Sequence, residues 1–326
     1  MKTLIYGAGP IGQWLALRLH QARKDVTLLA RNQTFEHLDR YGVVIVDGLT
    51  GERMAARVPL VNRLNPEDRF DLVVVAMQRR NRLAVCPELA RNPHLESILF
   101  LGNDVEGFRR SLDSLPTHKV LLGFPGVGGG WRGDELAIMD RERPTAKYGE
   151  IFLGEIDGKR RGRTWLIGSL FESAGIKVNY QRDMDGWLKY HFAFMAPTAG
   201  VILEKGGDLR AVAADSRAIH RYCRACREAG HVLRTVGYRR RQPLVFNLFY
   251  WLPRWLEPRV FRALFESRGA EIRFGLHARA VGPELLDLAE DFQRITSAAG
   301  MTTPTLDEFI GRVSKSGPEL ECREVA

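Results

Sequence analysis

A chain of 326 residues with 45% hydrophobic and 27% charged residues is long enough for two domains and too apolar for a disordered polymer. Its net charge of +9 is spread along the chain apart from short runs such as Arg239-Arg240-Arg241. No helix-turn-helix or RNP pattern accompanies it, which favours solvated arginine faces and small anionic ligands over a nucleic-acid reader.

Residues 2–6 (KTLIY) predict a short buried strand, 7–12 a tight turn, and 11–22 a helix with Ile11, Leu15, Leu17 and Leu19 at apolar positions. A second strand is expected at 26–30 and a third at 43–46, followed by a turn at Asp47-Gly48 and a returning strand around 56–61. The near-continuous apolar run 71–76 suits a parallel strand buried on both faces, and 97–101 and 119–123 continue the series. The glycine-rich stretch 123–130 is expected to be a loop, because so many glycines are costly inside a helix or strand. A strand at 176–180 ends the series. The fold class is therefore α/β, with a mostly parallel, Rossmann-type sheet over 1–181. Asp183 then opens a helical pattern as an N-cap, with breaks near Gly206-Gly207, Pro243, Pro253, Pro283 and Pro304, so 182–326 is expected to be an all-helical domain.

No run of about 18 or more apolar residues occurs, so a membrane span is not expected. The N-terminal MKTLIYGAG has no signal-peptide pattern. The four cysteines, Cys86, Cys223, Cys226 and Cys322, form no disulfide framework, which points to a reducing, cytoplasmic location. Cys223 and Cys226 have CxxC spacing but no second pair and lie in a helical pattern, so helix packing explains them better than zinc.

Gly7-Ala8-Gly9-Pro10-Ile11-Gly12 follows a strand and opens a helix, the context a dinucleotide-binding GxGxxG needs. Gly7 permits the turn, Gly9 lets backbone approach a pyrophosphate, Gly12 permits close helix–strand packing, and Pro10 suits the first helical turn. An NAD site normally has an acid at the end of the second strand. Here the chain reads Ala30-Arg31-Asn32-Gln33, with no acid before Glu36. Arg31 can pair with a 2′-phosphate, so NADP(H) is the expected cofactor, a free surface arginine being the alternative.

IYGAGPIG…VTLLAR, the segment from Gly42 to Pro59, the strand from Asp71, Leu101-Gly-Asn103-Asp104 and Trp187-Leu-Lys189 together resemble the ketopantoate reductase family, along nearly the whole chain. The resemblance implies a Rossmann domain followed by a helical one, an active site in the cleft between them, and NADPH-dependent reduction of a 2-keto acid to a 2-hydroxy acid. It implies that Lys189 is the catalytic lysine, that Asn103 lies at the site, and that Glu271 in Ala-Glu-Ile matches the family's Thr-Glu-Ile glutamate. Gln78 stands at a cofactor-side position where the family has lysine. Ala193 and Pro197 stand where it has asparagines that shape the substrate site, which points away from ketopantoate itself.

On its helix Lys189 shares a face with Asp185, Phe192, Ala193 and Ala196. An ammonium among apolar groups would have a lowered pKa and could protonate a carbonyl oxygen as hydride arrives; an ordinary i−4 pair with Asp185 is the alternative. His191 lies about 200° around the helix from Lys189 and shares a face with Trp187, which suits a core histidine. Asn103 can donate to the nicotinamide ribose or the substrate carbonyl, or be a turn residue. Glu271 can bind a substrate hydroxyl, orient Lys189, or be a solvated glutamate. The apolar stretch 244–256 fits core, a substrate lid, a homodimer surface or an interfacial membrane segment. The expected function is NADPH-dependent reduction of a small carbonyl substrate. The alternatives are opine-type imine reduction and non-catalytic NADP(H) sensing.

Overall fold

A computed structural model of the chain describes residues 1–106, 108, 113–139, 149–239, 243–267, 269–276 and 282–321. Arg240, Arg241 and Cys322 lie outside the described residues. The chain divides into an α/β unit, Met1–Asn103 with Phe108–Met184, and a helical unit, Asp104–Gly107 with Asp185–Ala326.

The α/β unit begins with β1 (Thr3–Tyr6), α1 (Pro10–Gln21) and β2 (Val26–Leu29). Every residue of β1 is buried, as a central strand requires. α2 (Asn32–Tyr41), β3 (Val43–Asp47), β4 (Arg53–Ala56), β5 (Leu60–Val61), β6 (Phe70–Ala76), α3 (Arg79–Arg91) and β7 (Leu95–Leu101) follow. Next come β8 (Val120–Pro125), β9 (Gly128–Arg132), β10 (Glu135–Met139), β11 (Glu150–Glu155), α4 (Gly162–Ser173) and β12 (Lys177–Tyr180). The main sheet has eight strands in the order β12-β11-β8-β7-β6-β1-β2-β5. Its neighbours are parallel except for the antiparallel pair β8–β11. The α/β class with a mostly parallel N-terminal sheet is as the sequence predicts.

Two local expectations are corrected. The third apolar run does not extend the main sheet. β3 instead belongs to a second sheet of order β4-β3-β10-β9, and the place beside β2 is taken by the two-residue strand β5. The turn forms where expected: Asp47 Oδ1 accepts from the amides of Leu49 and Thr50 at 2.9 and 2.7 Å. The returning strand nevertheless starts at Arg53, with Val46 opposite Arg53 and Val43 opposite Ala56. An all-apolar run such as Val43-Val-Ile-Val carries no label saying which sheet it joins; cross-strand partners decide that.

The glycine-rich stretch is also not a loop. Gly123 lies within β8 and Gly128–Gly130 within β9. A Cβ on Gly123 would lie 2.7 Å from the Phe152 carbonyl oxygen, and one on Gly129 would lie 2.6 Å from that of Ala137. Close backbone approach in the sheets outweighs the low strand propensity of glycine.

The helical unit comprises α5 (Met184–Glu204), α6 (Leu209–Ala214), α7 (Ser216–Thr235), α8 (Leu248–Trp251), α9 (Glu257–Phe265), a π-helical turn (Glu271–Leu276), α10 (Gly282–Ala298) and α11 (Pro304–Glu321). α5 is apolar on nearly every side and is the spine of the core, packed with Tyr222, Phe249, Phe261, Phe292 and Phe309 among others. Asp208 and Asp215 cap α6 and α7 by accepting from backbone amides. Among the described residues no helix is long and apolar enough to cross a membrane.

Candidate functional site

Adjacent parallel strands bring their carboxyl ends to one edge of the main sheet, the edge at which open α/β sheets hold ligands. In the order β5-β2-β1-β6-β7, the segments leaving those ends begin Asn62-Arg63, Ala30-Arg31, Gly7-Ala8, Met77-Gln78 and Gly102-Asn103. Five segments separated by up to a hundred positions in the chain thus become neighbours through strand register: Leu29 pairs with Tyr6 and Val61, Tyr6 with Val75, and Ala76 with Leu101.

The three motif glycines have different structural reasons. Gly7 has φ +114°, and a Cβ there would lie 2.7 Å from the Ala76 carbonyl oxygen. A Cβ on Gly12 would lie 1.8 Å from the Gly7 carbonyl oxygen, so only glycine lets α1 pack on the turn. Gly9, the N-cap of α1, has ordinary extended backbone, and a Cβ there would meet nothing within 4 Å. Among the described residues, no contact requires that glycine. The space a Cβ would fill is open, beside a helix N-terminus whose amides favour an anion, and this fits the diphosphate of a dinucleotide. Ala8 is held by the Gln13 side-chain amide, which donates to its carbonyl at 2.8 Å, and Pro10 and Ile11 form the first turn of α1.

Arg31 is not a lone surface cation. Its guanidinium donates to Glu88 Oε2 at 2.7 Å and to the Tyr6 hydroxyl, and the same Glu88 oxygen accepts from Tyr6 at 2.7 Å. Burial, and then the Glu88 carboxylate, push the Tyr6 phenol well above its usual range. Arg31 and Asn32 line a hollow of about 570 Å³ with Asn62 and Arg63. Arg63 is exposed and makes no ion pair among the described residues. Sequence reasoning misses Arg63, because it adjoins Arg31 only through the pairing of β5 with β2. Gln78 is the exposed N-cap residue of α3; its carbonyl accepts from the Arg82 amide at 3.0 Å.

Asn103 follows the end of β7 and is buried, its backbone carbonyl accepting from Arg82 Nη1 at 3.3 Å. Arg82 is itself fully buried, with its guanidinium 4.1 Å from the centre of the Phe108 ring, and anchors this corner.

In the helical unit Lys189 is 5% exposed, and its ammonium is paired with Asp185 Oδ1 one turn earlier on α5. The other Asp185 oxygen accepts from the Tyr238 hydroxyl at 2.5 Å, and the Tyr238 ring lies 4.9 Å from Lys189 Nζ. Tyr190 donates to the Tyr238 carbonyl at 2.7 Å, which fixes that segment. Of the two surroundings expected for Lys189, the i−4 pair with Asp185 is the one formed, and the Tyr238 phenol joins it. The i−4 spacing made Asp185 legible; Tyr238 lies too far along the chain to have been found.

Glu271 starts the π-helical turn and is exposed, with its carboxylate against Gly275, where a Cβ would come within 2.6 Å of Oε2. His191 is half-buried and stacks on Trp187, with ring centres 5.2 Å apart. Ala193 and Pro197 are buried in α5. Cys223 and Cys226 are buried in α7, and burial pushes both thiols upward, away from the thiolate a metal requires. The 244–256 stretch splits: Phe246 and Phe249 enter the core, while Leu244, Trp251 and Trp255 face outward.

A family model described as Ketopantoate reductase PanE/ApbA matches residues 3–158. Residues 3–158 belong to the ketopantoate reductase family. The resemblance read from the sequence therefore stands, and the family is one of oxidoreductases. The chain is 26% identical over 208 residues to an uncharacterized oxidoreductase, YkpB, of Bacillus subtilis (strain 168), covering 62% of this chain and 64% of that protein. It is 26% identical over 220 residues to a 2-dehydropantoate 2-reductase of Mesorhizobium japonicum, covering 58% of this chain and 63% of that one. The chain thus spans a little under two thirds of the length of these curated relatives. Its fold is similar to that of a D-mandelate dehydrogenase solved with NADH and anilino(oxo)acetate, with a TM-score of 0.79 at 14% identity, covering 98% of this chain and 99% of that one.

Proposed function

We propose that this chain is an NADPH-dependent reductase that turns a 2-keto acid or related ketone into the hydroxy product. The observation that carries the reading is the alignment of five strand ends on one sheet edge, with open space over Gly9 in the middle and two guanidiniums at one flank. The bound nicotinamide supplies the hydride that reaches the carbonyl carbon. The chain's own residues bind, orient and protonate. Gly7, Ala8, Gly9, Pro10, Ile11 and Gly12 hold the pyrophosphate. Gln78 borders the cofactor, and Asn103 donates to the nicotinamide ribose or to the carbonyl. Lys189 donates a proton to the carbonyl oxygen, held for that task by Asp185 and Tyr238, and Glu271 orients the reacting group.

Arg31 and Arg63 together select the 2′-phosphate. The Arg31–Glu88 pair is an argument for the opposite preference, yet Arg31 is 46% exposed in that pair. An exposed pair is worth about 0–1 kcal/mol, whereas a hydrogen bond to a dianionic phosphate is worth about 1.5–3 kcal/mol, so the guanidinium turns to the phosphate at a net gain. Arg31→Ala and Arg63→Ala are each expected to weaken NADPH binding about 10- to 100-fold in a fluorescence titration and to leave NADH within about threefold. Equal losses for both cofactors would refute phosphate selection. The D-mandelate dehydrogenase carries NADH and an oxo acid, which supports the oxo-acid class but not the phosphate. Buried Ala193 and Pro197, in place of the family's asparagines, support a less polar substrate than ketopantoate.

NADPH oxidation followed over a panel of small and bulky apolar 2-keto acids and ketones tests the reading. Turnover of at least one, favouring apolar members, is expected; oxidation of none refutes it. The closed Lys189–Asp185 pair favours one second reading, an NADP(H)-binding protein without turnover. Tight NADPH binding with no reaction on any carbonyl would select it.

A further inference from the structure

Leu244, Trp251 and Trp255, at 69%, 70% and 69%, are the three most exposed large apolar side chains among the described residues, and all fall within one short segment of the helical unit. The segment is not loose. Phe246 and Phe249 anchor its inner side, Phe249 stacks on Phe261 with ring centres 4.9 Å apart, and Arg227 donates to the Phe249 carbonyl at 3.0 Å. A firmly held base thus presents two indoles and an aliphatic chain to solvent.

The charge around them is one-sided. From 244 to 262 the sequence holds three arginines, Arg254, Arg259 and Arg262, no lysine and a single acid, Glu257. Glu257 is fully buried and matched by Arg227 at 2.5 Å, with His220 Nδ1 3.0 Å away, so it presents no negative charge outward. Arg224 and Arg254 line one hollow of about 470 Å³ with Trp255, and neither makes an ion pair among the described residues. Arg259 lies 6.0 Å from the Trp255 ring.

We propose that this face, residues 244–259 with Arg224, docks on an anionic lipid bilayer. Indoles settle where hydrocarbon meets headgroup, Leu244 enters the acyl boundary, and the arginines pair with headgroup phosphates. A nucleic acid would use the arginines and stack on the indoles but has no place for an exposed leucine. A second copy would set two like-charged arginine clusters against each other. The bilayer alone accounts for both the aliphatic and the cationic component, as an interfacial rather than a spanning contact. The proposal does not rest on the cofactor reading.

Its test is co-sedimentation of the full chain with vesicles of about 30% phosphatidylglycerol in phosphatidylcholine, against pure phosphatidylcholine, with tryptophan emission recorded. Binding at least about tenfold stronger to the anionic vesicles, a blue shift, and weakening by salt are expected. Trp251→Ala combined with Trp255→Ala, and separately Arg254→Glu, should each lower binding about tenfold or more with an unchanged melting curve, since these side chains are solvent-facing. No preference for anionic vesicles overturns the proposal. So does parent-like binding by both variants, displacement of the vesicles by an equivalent of oligonucleotide, or a dimer that the double tryptophan variant splits.

Discussion

Lys189→Ala is expected to lower turnover of the reducible substrate by about 10²- to 10⁴-fold while NADPH affinity changes by less than about threefold. The predicted effect follows from where charge develops. Hydride arrival leaves negative charge on the carbonyl oxygen, and a buried ammonium nearby stabilises it far more than one in water would. Lys189 has the required burial, and Asp185 and Tyr238 limit where its Nζ can go. Asp185→Asn separates catalysis from mere packing, because it preserves the size of the side chain and the Tyr238 contact but removes the counter-charge. A catalytic Lys189 predicts a fall in kcat for both variants, larger for Lys189→Ala, with folding intact. A structural Lys189 predicts lost stability and unchanged turnover per folded molecule. Stopped-flow turnover beside thermal melts reads the difference, and unchanged kcat in Lys189→Ala would remove the residue from the mechanism.

The second large effect separates two glycines of one motif. Gly12→Ala places a methyl 1.8 Å from the Gly7 carbonyl oxygen, so helix α1 must lift from the turn at a cost of about 3 kcal/mol, and cofactor binding goes with it. Gly9→Ala meets no protein atom within 4 Å, and alanine in place of glycine at an N-cap costs about 1 kcal/mol at most. That variant should melt close to the parent yet bind NADPH about tenfold or more weakly, because the methyl stands where the pyrophosphate approaches. Circular-dichroism melts and fluorescence titration read both. Normal stability in Gly12→Ala would contradict the packing, and parent-like NADPH binding in Gly9→Ala would contradict the site.

Local sterics and apolar patterning made the β1–α1–β2 unit legible, since a strand of buried residues, a glycine turn and a helix rich in buried apolar residues involve only near neighbours in the chain. The same holds for the Asp185–Lys189 pair, one helical turn apart, and for the helical nature of the second unit, where prolines and capping aspartates punctuate the pattern. The resemblance carried by the opening motif and the later strands was enough to reach the oxidoreductase family.

Other features depended on pairings that no local window contains. β3 left the main sheet because its partners are β4 and β10, and β5 took the edge beside β2 with only two residues. That exchange put Arg63 beside Arg31, just as folding of α3 brought Glu88 to the same guanidinium from 57 positions away. Glycines 123 and 129 entered strands because neighbouring backbone leaves no room for a Cβ, a constraint set across the sheet rather than along it. By itself the sequence determined the glycine turn at 7–12, the fold class and the lysine on its helix, because short-range geometry specifies them. The tertiary structure alone decided that Glu88 faces Arg31, that Tyr238 joins Asp185 at Lys189, and which apolar side chains of 244–256 remain in water, because such partners and burial are properties of distant segments brought into contact.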